Sequence, residues 1–438
     1  MSVTFLPAYG QDAPLSGFDD YVNKALREWE VPGLAIAIVK DDRIVMAKGY
    51  GVRKLGDPTL VNERTLFAIG SSSKAFTAAS IAMLVDEGKL KWDDRVTKYL
   101  PEFELYDPYV TRELTVRDLL CHRSGLERGD FLWYGSEYDR DEILRRTRYL
   151  KPTWSLRSTF GYQNLMFLAA GQLIARVSGK SWDEFIRQRI FVPLSMTASN
   201  TSIRDFKNAD NVSSPHAKVE EKIEVIPWRN IDNIAPAGSI NSNVVEMAQW
   251  VRLQLGQGEY QKQRLLSSGA AKEMQTSQTV IRAEPPYSIF YPEAHFLNYG
   301  LGWFLHDYKG RKVVEHGGAI DGMRAQVAMI PEEKLGLVIL TNMGGSALPL
   351  PLMFRIFDAY LAAPQRDWSA EMLKTFKSFE EQGKAAQKKQ EEERVKNTSA
   401  SHALTEYAGT YKNDLYGDVK VAHDSGKLNL RFGPAFTG

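Results

Sequence analysis

The stretch FAIGSSSKAFTAAS, residues 67–80, places Ser71 and Lys74 three positions apart at the start of an apolar segment. Residues three apart share one face of an α-helix, so the spacing predicts a hydroxyl beside an amine. A serine hydroxyl is a weak nucleophile until a neighbour takes its proton, and a lysine held neutral can do that. Gly70 and Gly88 bracket the predicted helix, whose first N–H groups would favour a developing oxyanion.

The composition leaves a small molecule or a peptide as the default substrate. With 438 residues, the chain has room for two to three domains, or for one large α/β domain with an appendage. Its 55 basic and 54 acidic residues nearly cancel, which predicts no nucleic-acid partner. Cys121 is the single cysteine, and seven scattered histidines without a metal-binding motif predict no metal site. The apolar runs are too short to predict a membrane span.

Hydrophobic periodicity predicts an α/β (α+β) fold, namely one antiparallel sheet flanked by N- and C-terminal helices. Two hairpins are expected, over residues 34–50 and 324–341, each with a polar turn between apolar strands. The helices expected in the middle of the chain are 75–87, 114–121, 139–149, 163–178, 181–189 and 243–256. They predict an inserted all-helical region, and the cleft between this region and the sheet is the expected pocket.

Both ends of the chain differ from this predicted domain, which is assigned to residues 17–365. Residues 1–16, which begin MSVTFLPAYGQDAP, are similar to the tail of an export signal, with a disordered native terminus as the alternative. They predict a periplasmic or secreted bacterial protein; a cytoplasmic location is the alternative. Residues 366–401 are typical of a charged helical linker, and residues 402–438 of a partial small β domain.

A second motif, Gly161-Tyr162-Gln163-Asn164, lies between a turn-like segment and a strongly helical one. A phenol beside a lysine can act as general base and general acid, and Asn164 could hydrogen-bond a substrate carbonyl. Simple packing at a helix start is the alternative for Tyr162.

A third motif, His316-Gly317-Gly318, ends a predicted strand. Glycines let a backbone approach a ligand closely, so a substrate could pair along this strand. An N–H just past the glycines could then form an oxyanion hole with the N–H of Ser71. A tight strand bend with an exposed histidine is the alternative.

In the order Ser-x-x-Lys, Tyr-x-Asn, His-x-Gly, the three motifs resemble the serine β-lactamase and penicillin-binding-protein superfamily, in its class C-like branch of esterases and D-aminopeptidases. Further segments with this resemblance are VPGLAIAI (31–38), LTVRDLLCHRSGL (114–126), PAGSINS (236–242) and YGLGW (299–303). The resemblance covers roughly residues 17–363. The tail from about 402 is similar to a small β-barrel domain often appended to such hydrolases.

This resemblance implies a role for each motif residue. Ser71 would be the nucleophile, Lys74 its activating partner and Tyr162 the general base and acid. The N–H groups of Ser71 and Ala319 would form the oxyanion hole. The implied substrate-binding residues are Asn164, His316, Gly317 and Gly318. The implied reaction forms an acyl-enzyme, which water hydrolyses, without a cofactor. Either Lys74 or Tyr162 could take the first proton.

One departure from the family pattern bears on the substrate. β-Lactamases and transpeptidases usually have a lysine, which holds the substrate carboxylate, where His316 stands here. A neutral histidine weakens that anchor, so esters are favoured over β-lactams. D-amino-acid peptides or amides, weak β-lactam hydrolysis, and a penicillin-binding or sensor role without turnover are the alternatives. An α/β-hydrolase is set aside because the sequence has no Gly-x-Ser-x-Gly elbow.

Aromatic residues cluster in two segments that could line an apolar acyl pocket or belong to the core. They are Phe131, Trp133, Tyr134, Tyr138, Phe290, Tyr291 and Tyr299.

Overall fold

A computed structural model describes residues 13–433, 436 and 437. Most of the segment that is similar to an export signal, residues 1–12, lies outside the described residues. The helices are α1 (Phe18–Glu28), α2 (Ser73–Asp86), α3 (Pro108–Glu113), α4 (Arg140–Arg146), α5 (Asn164–Ser178), α6 (Trp182–Ile186), α7 (Ala235–Gly238), α8 (Val244–Leu255), α9 (Ser268–Met274), α10 (Tyr287–Phe290), α11 (Pro349–Tyr360) and α12 (Trp368–Glu393). The strands are β1 (Gly33–Lys40), β2 (Arg43–Gly51), β3 (Phe67–Ala68), β4 (His216–Val219), β5 (Lys222–Val225), β6 (Asn241–Ser242), β7 (Glu259–Tyr260), β8 (Gln263–Arg264), β9 (Thr279–Ile281), β10 (Leu297–Tyr299), β11 (Phe304–Tyr308), β12 (Arg311–Ile320), β13 (Met323–Ile330), β14 (Leu335–Thr341), β15 (Gly409–Tyr411), β16 (Val419–Asp424), β17 (Lys427–Phe432) and β18 (Phe436–Thr437).

The main sheet is antiparallel, with the strand order β2-β1-β14-β13-β12-β11-β10-β9. Both expected hairpins are confirmed, because β1 pairs with β2 and β13 pairs with β14. The two hairpins form the four strands at one side of the sheet and join directly, with Leu34 of β1 opposite Thr341 of β14. The predicted fold class is therefore confirmed.

The two faces of the sheet bury different partners. In β1, Leu34, Ile36 and Ile38 belong to a core that includes residues of α1, α11 and α12. The alternate residues Ala35 and Ala37 face a second core, built largely from the inserted helices. Successive strand side chains point to opposite faces, so an apolar run such as β1 indicates a sheet that is covered on both sides.

The helix expected over residues 114–121 is wrong: only a short 3₁₀ turn, Arg117–Leu120, forms there. The buried Asp118 carboxylate accepts the Thr115 N–H at 3.0 Å and binds Arg157 at 2.7 Å. A short acidic side chain that binds a neighbouring backbone N–H competes with helical hydrogen bonding. The segment therefore forms a turn in place of the predicted helix.

The charged segment expected as a linker is mostly one helix, α12, but its first turns pack on the main domain. The buried Trp368 indole donates to Asp358 Oδ2 at 2.7 Å, and the Phe376 ring lies 5.7 Å from Trp29. Helix residues beyond Phe376 are exposed. The domain boundaries proposed at 365/366 and 401/402 stay predictions.

A separate sheet, in the order β15-β16-β17-β18, forms the C-terminal unit. Its strands are largely exposed, and the unit contacts the inserted helical region through the turn between β15 and β16. Among the described residues, no helix is both long and apolar enough to cross a membrane.

Candidate active site

The structure brings Ser71 and Lys74 together at the start of α2. Ser71 lies in the 3₁₀ turn Gly70–Ser72, and Lys74 lies in the first turn of the helix that follows. Lys74 Nζ is 3.1 Å from Ser71 Oγ. The same Nζ donates to Asn164 Oδ1 at 2.8 Å and to the Ala237 carbonyl at 2.7 Å. The amine is thus fixed by two carbonyl oxygens on the side away from the serine.

Burial lowers the pKa of Lys74 well below its usual value. The nearby Arg128 cation lowers the pKa of Lys74 further, and the Asp130 carboxylate acts in the opposite direction. A neutral amine has two N–H donors and one lone pair. Since two carbonyl oxygens can accept the two N–H groups, the lone pair is left for Ser71 Oγ. The environment of Lys74 therefore suits a proton acceptor.

Tyr162 lies beside the same pair, and the Ser71 side chain is close enough to its phenol to lower the pKa of Tyr162. Lys74 Nζ lies 4.9 Å from the centre of the Tyr162 ring, and the buried His122 ring lies 4.2 Å from it. Burial raises the pKa of Tyr162 above its usual value, while the Ser71 hydrogen bond and Arg128 act against this. The phenol therefore keeps its proton at neutral pH and can donate it.

Asn164 is held in place by Asp130, an acidic residue that belongs to none of the sequence motifs. Its Nδ2 donates to Asp130 Oδ1 at 2.9 Å, and the Trp133 indole donates to the same oxygen at 2.8 Å. The other oxygen of Asp130 accepts from Arg128 Nε at 2.6 Å. Asp130 and Arg128 were missed by the sequence analysis because only the fold brings their loop to Asn164 and Lys74.

The turn that contains Ser71 packs against the end of β12 so closely that the two backbones are in contact. A methyl group on Gly318 would lie 1.8 Å from the Ile69 carbonyl oxygen and 3.1 Å from the Ser71 nitrogen. A methyl group on Gly70, which has φ +51°, would lie 2.6 Å from the Ala319 nitrogen. Glycine is needed at both positions because any side chain would separate the two segments. The backbone nitrogens of Ser71 and Ala319 are therefore close neighbours.

His316 is buried, so the alternative of an exposed histidine is wrong. The Tyr299 hydroxyl lies 2.8 Å from His316 Nε2, and His316 Nδ1 lies 2.6 Å from the Gly317 carbonyl oxygen. Burial lowers the pKa of His316 to about 3. The ring is thus neutral at pH 7 and supplies no cation. Tyr299, which lies in the YGLGW segment, was assigned no such role from the sequence.

The aromatic residues divide between core and surface. Tyr299 and Trp133 are buried in the main core. The Phe290 ring stacks on Phe376 at 5.9 Å, which places it with α12. Phe131 is 58% exposed. Phe131, Tyr134 and Tyr138 line a common crevice, so the pocket alternative stays a prediction for these three residues.

In the described ranges, no group of three or more His, Cys, Asp or Glu side chains is arranged to hold a metal ion.

The lysine-serine-tyrosine arrangement, between an antiparallel sheet and an inserted helical region, is typical of β-lactamase-like serine hydrolases. The family model described as Beta-lactamase matches residues 18–355, and the chain belongs to this family. A second model, a domain of unknown function (DUF3471), matches residues 393–437.

Curated relatives are similar over most of this chain. Unguisins hydrolase ungD of Aspergillus violaceofuscus is 32% identical over 391 residues, which are 81% of this chain and 66% of the relative. Unguisins hydrolase ungD' of Aspergillus campestris is 29% identical over 93% of this chain and 77% of its own length. Protein flp of Staphylococcus aureus is 23% identical over 76% of this chain and 64% of its own length. The chain thus spans about two thirds of the length of ungD and of flp.

A solved structure, the octameric penicillin-binding protein homologue from Pyrococcus abyssi, has the same fold. Its TM-score is 0.72 at 24% identity, covering 97% of this chain and 89% of that chain.

Proposed function

We propose that this protein is a serine hydrolase that cleaves carboxylic esters through an acyl-enzyme on Ser71. The observation that carries the proposal is the distance of 3.1 Å between Lys74 Nζ and Ser71 Oγ, at a site where Lys74 and Tyr162 are both buried. Burial favours a neutral Lys74, which can accept a proton, and a protonated Tyr162, which can donate one. Lys74 is accordingly the first base, and Tyr162 the acid for the leaving group.

In acylation, Ser71 Oγ attacks the ester carbonyl carbon while its proton moves to Lys74 Nζ. The oxyanion accepts hydrogen bonds from the N–H groups of Ser71 and Ala319. When the C–O bond breaks, the leaving alkoxide takes the phenolic proton of Tyr162, and Lys74 returns a proton to the phenolate. Water then attacks the acyl carbon and gives a proton to Lys74. When the bond between the acyl carbon and Ser71 Oγ breaks, Oγ takes that proton back from Lys74, and the carboxylic acid is released.

Esters are favoured over β-lactams because the third motif begins with a histidine and not with a lysine. His316 is neutral and buried, and the Arg128 guanidinium at the site is paired with Asp130. His316 therefore cannot hold a substrate carboxylate by charge. We keep amide or D-peptide hydrolysis as a second candidate, since an amine leaving group needs the proton that Tyr162 holds, and two relatives are named as unguisins hydrolases.

The test compares p-nitrophenyl acetate, p-nitrophenyl butyrate, nitrocefin and a D-alanyl p-nitroanilide, with native protein and Ser71→Ala. Ser80→Ala is a matched control, because Ser80 is a buried serine of the same helix whose hydroxyl donates to the Phe76 carbonyl at 2.9 Å. We expect ester turnover that is lost in Ser71→Ala and kept in Ser80→Ala. Turnover of the anilide would favour the second candidate. A stable mass increase on Ser71 without turnover would replace both with a penicillin-binding or sensor role.

A periplasmic or secreted location is part of this proposal, and fractionation of cells that make the protein tests it.

A further inference from the structure

The C-terminal unit lies against the loop that leads to the active site. Arg146 of α4 donates to the Asp414 carbonyl at 2.7 Å, which anchors the turn 413–417. Gly417 in this turn has φ +89°, and a methyl group there would lie 2.1 Å from Tyr138 Oη. The turn thus approaches the loop 131–138 so closely that only glycine fits.

Between the turn and the loop there is a crevice of about 90 Å³, far more than the roughly 15 Å³ that one water needs. Aromatic side chains from both units line it, namely Phe131, Tyr134, Tyr138, Tyr416 and Phe432. Tyr416 contributes from the C-terminal side, with its ring 6.4 Å from that of Phe131 and edge-on to it. Aromatic rings arranged in this way favour an aromatic or apolar guest.

The loop that lines the crevice is connected to the proposed active site at two points. Asp130 and Glu127 are close enough to Tyr416 to reinforce the effect of burial, which raises the pKa of its phenol. Asp130 in turn accepts the hydrogen bond from Asn164. On the other side, the Tyr134 hydroxyl donates to Asp321 at 2.7 Å, two residues past Ala319.

We propose that this crevice is a subsite for an aromatic group on the acyl part of the substrate, with Tyr416 of the C-terminal unit as one wall. The inference rests on the proposed function and names a substrate class for it. The loop that forms one wall of the crevice reaches Asn164 through Asp130, and it reaches the turn after β12 through the hydrogen bond between Tyr134 and Asp321. The C-terminal unit is then a specificity element of the active site.

The experiment compares p-nitrophenyl 4-phenylbutyrate with p-nitrophenyl acetate, using the full chain. We expect Tyr416→Ala to lower the ratio of kcat/KM for the two esters about tenfold, the size of effect that a small change in an apolar pocket has. Gly417→Ala should lower the ratio too, since the new methyl group pushes the turn away from Tyr138. Gly426→Ala is the matched control: it has a similar φ of +79° and nothing within 4 Å of the added carbon. An unchanged ratio in both Tyr416→Ala and Gly417→Ala would overturn the inference.

A binding arm separates this inference from the proposed function. If the native protein shows no Ser71-dependent turnover of either ester, the proposed function fails. The subsite is then tested by calorimetry of 4-phenylbutyramide and butyramide with Ser71→Ala and with Ser71→Ala/Tyr416→Ala. Preferential binding of the phenyl compound that Tyr416→Ala abolishes supports the subsite. Equal binding of the two amides, or no binding of either, overturns it.

Discussion

Substitution of Gly318 by alanine tests whether the contact between β12 and the Ser71 turn is needed for turnover. The added methyl group would lie 1.8 Å from the Ile69 carbonyl oxygen, whereas real contacts of this kind start near 3.0 Å, so the strand end must retreat by about 1.2 Å. A displacement of about 1 Å can cost about 100-fold in rate, and loss of one oxyanion donor costs about 100- to 1,000-fold in kcat. We therefore expect Gly318→Ala to lower kcat for p-nitrophenyl acetate by about 100-fold or more.

The matched control is Gly238→Ala. Gly238 is also buried and also faces Gly70, but its added methyl group would lie 3.6 Å from the Gly70 carbonyl carbon, an ordinary contact. We expect this variant to keep kcat within about threefold, because such a contact requires no backbone shift. Circular dichroism and thermal melting establish that both variants fold. A folded Gly318→Ala protein with kcat within about threefold of the native value would refute the role given to the Ala319 N–H.

Three further predictions concern charge and stability. Arg128→Gln should move the acidic limb of the kcat/KM profile to higher pH, because Arg128 lowers the pKa of Lys74, and Asp130→Asn should move it to lower pH; shifts of the same sign would contradict this. Burial raises the pKa of Glu315 from 4.5 to about 7. The protonated Glu315 carboxyl therefore contributes stability to the native state that is fully present below about pH 4.5 and is lost as the pH rises to about 7. Glu315→Gln should remove this pH dependence, which amounts to roughly 3 kcal/mol in the free energy of unfolding. Urea unfolding at several pH values measures it. Trp368→Ala should lower the free energy of unfolding by about 3–5 kcal/mol in urea titrations, with little change in kcat.

The sequence could place those parts of the site that depend on local spacing. Ser71 and Lys74 lie one helical turn apart, so their proximity follows from helix geometry once the segment is helical. The two hairpins of the main sheet were predicted in the same way, from their turns and apolar strands. Tyr162 and Ala319 were assigned through a family resemblance, because no local pattern connects them to a serine so far away in the chain.

Other features depend on tertiary packing and could not be read from spacing. Asp130 reaches Asn164 over 34 positions, and Tyr299 reaches His316 over 17, within segments that show no polar pattern. The helix predicted at 114–121 does not form for a related reason, since Asp118 binds a backbone N–H, the nearby Arg123 and the distant Arg157. The protonation states are also tertiary, because burial is the main cause of the pKa shift in Lys74 and in Tyr162.

The charge balance around Lys74 bears on which acyl groups the site accepts. Asp130 raises the pKa of Lys74, and any anionic group that a substrate brought near the amine would act in the same direction. A protonated Lys74 cannot accept the Ser71 proton, so an anionic acyl group would weaken the base that acylation needs. A neutral acyl group leaves the pKa low, and by displacing water it strengthens the effect of burial. The neutral His316 and the depressed pKa of Lys74 thus favour the same substrates, esters whose acyl part carries no charge.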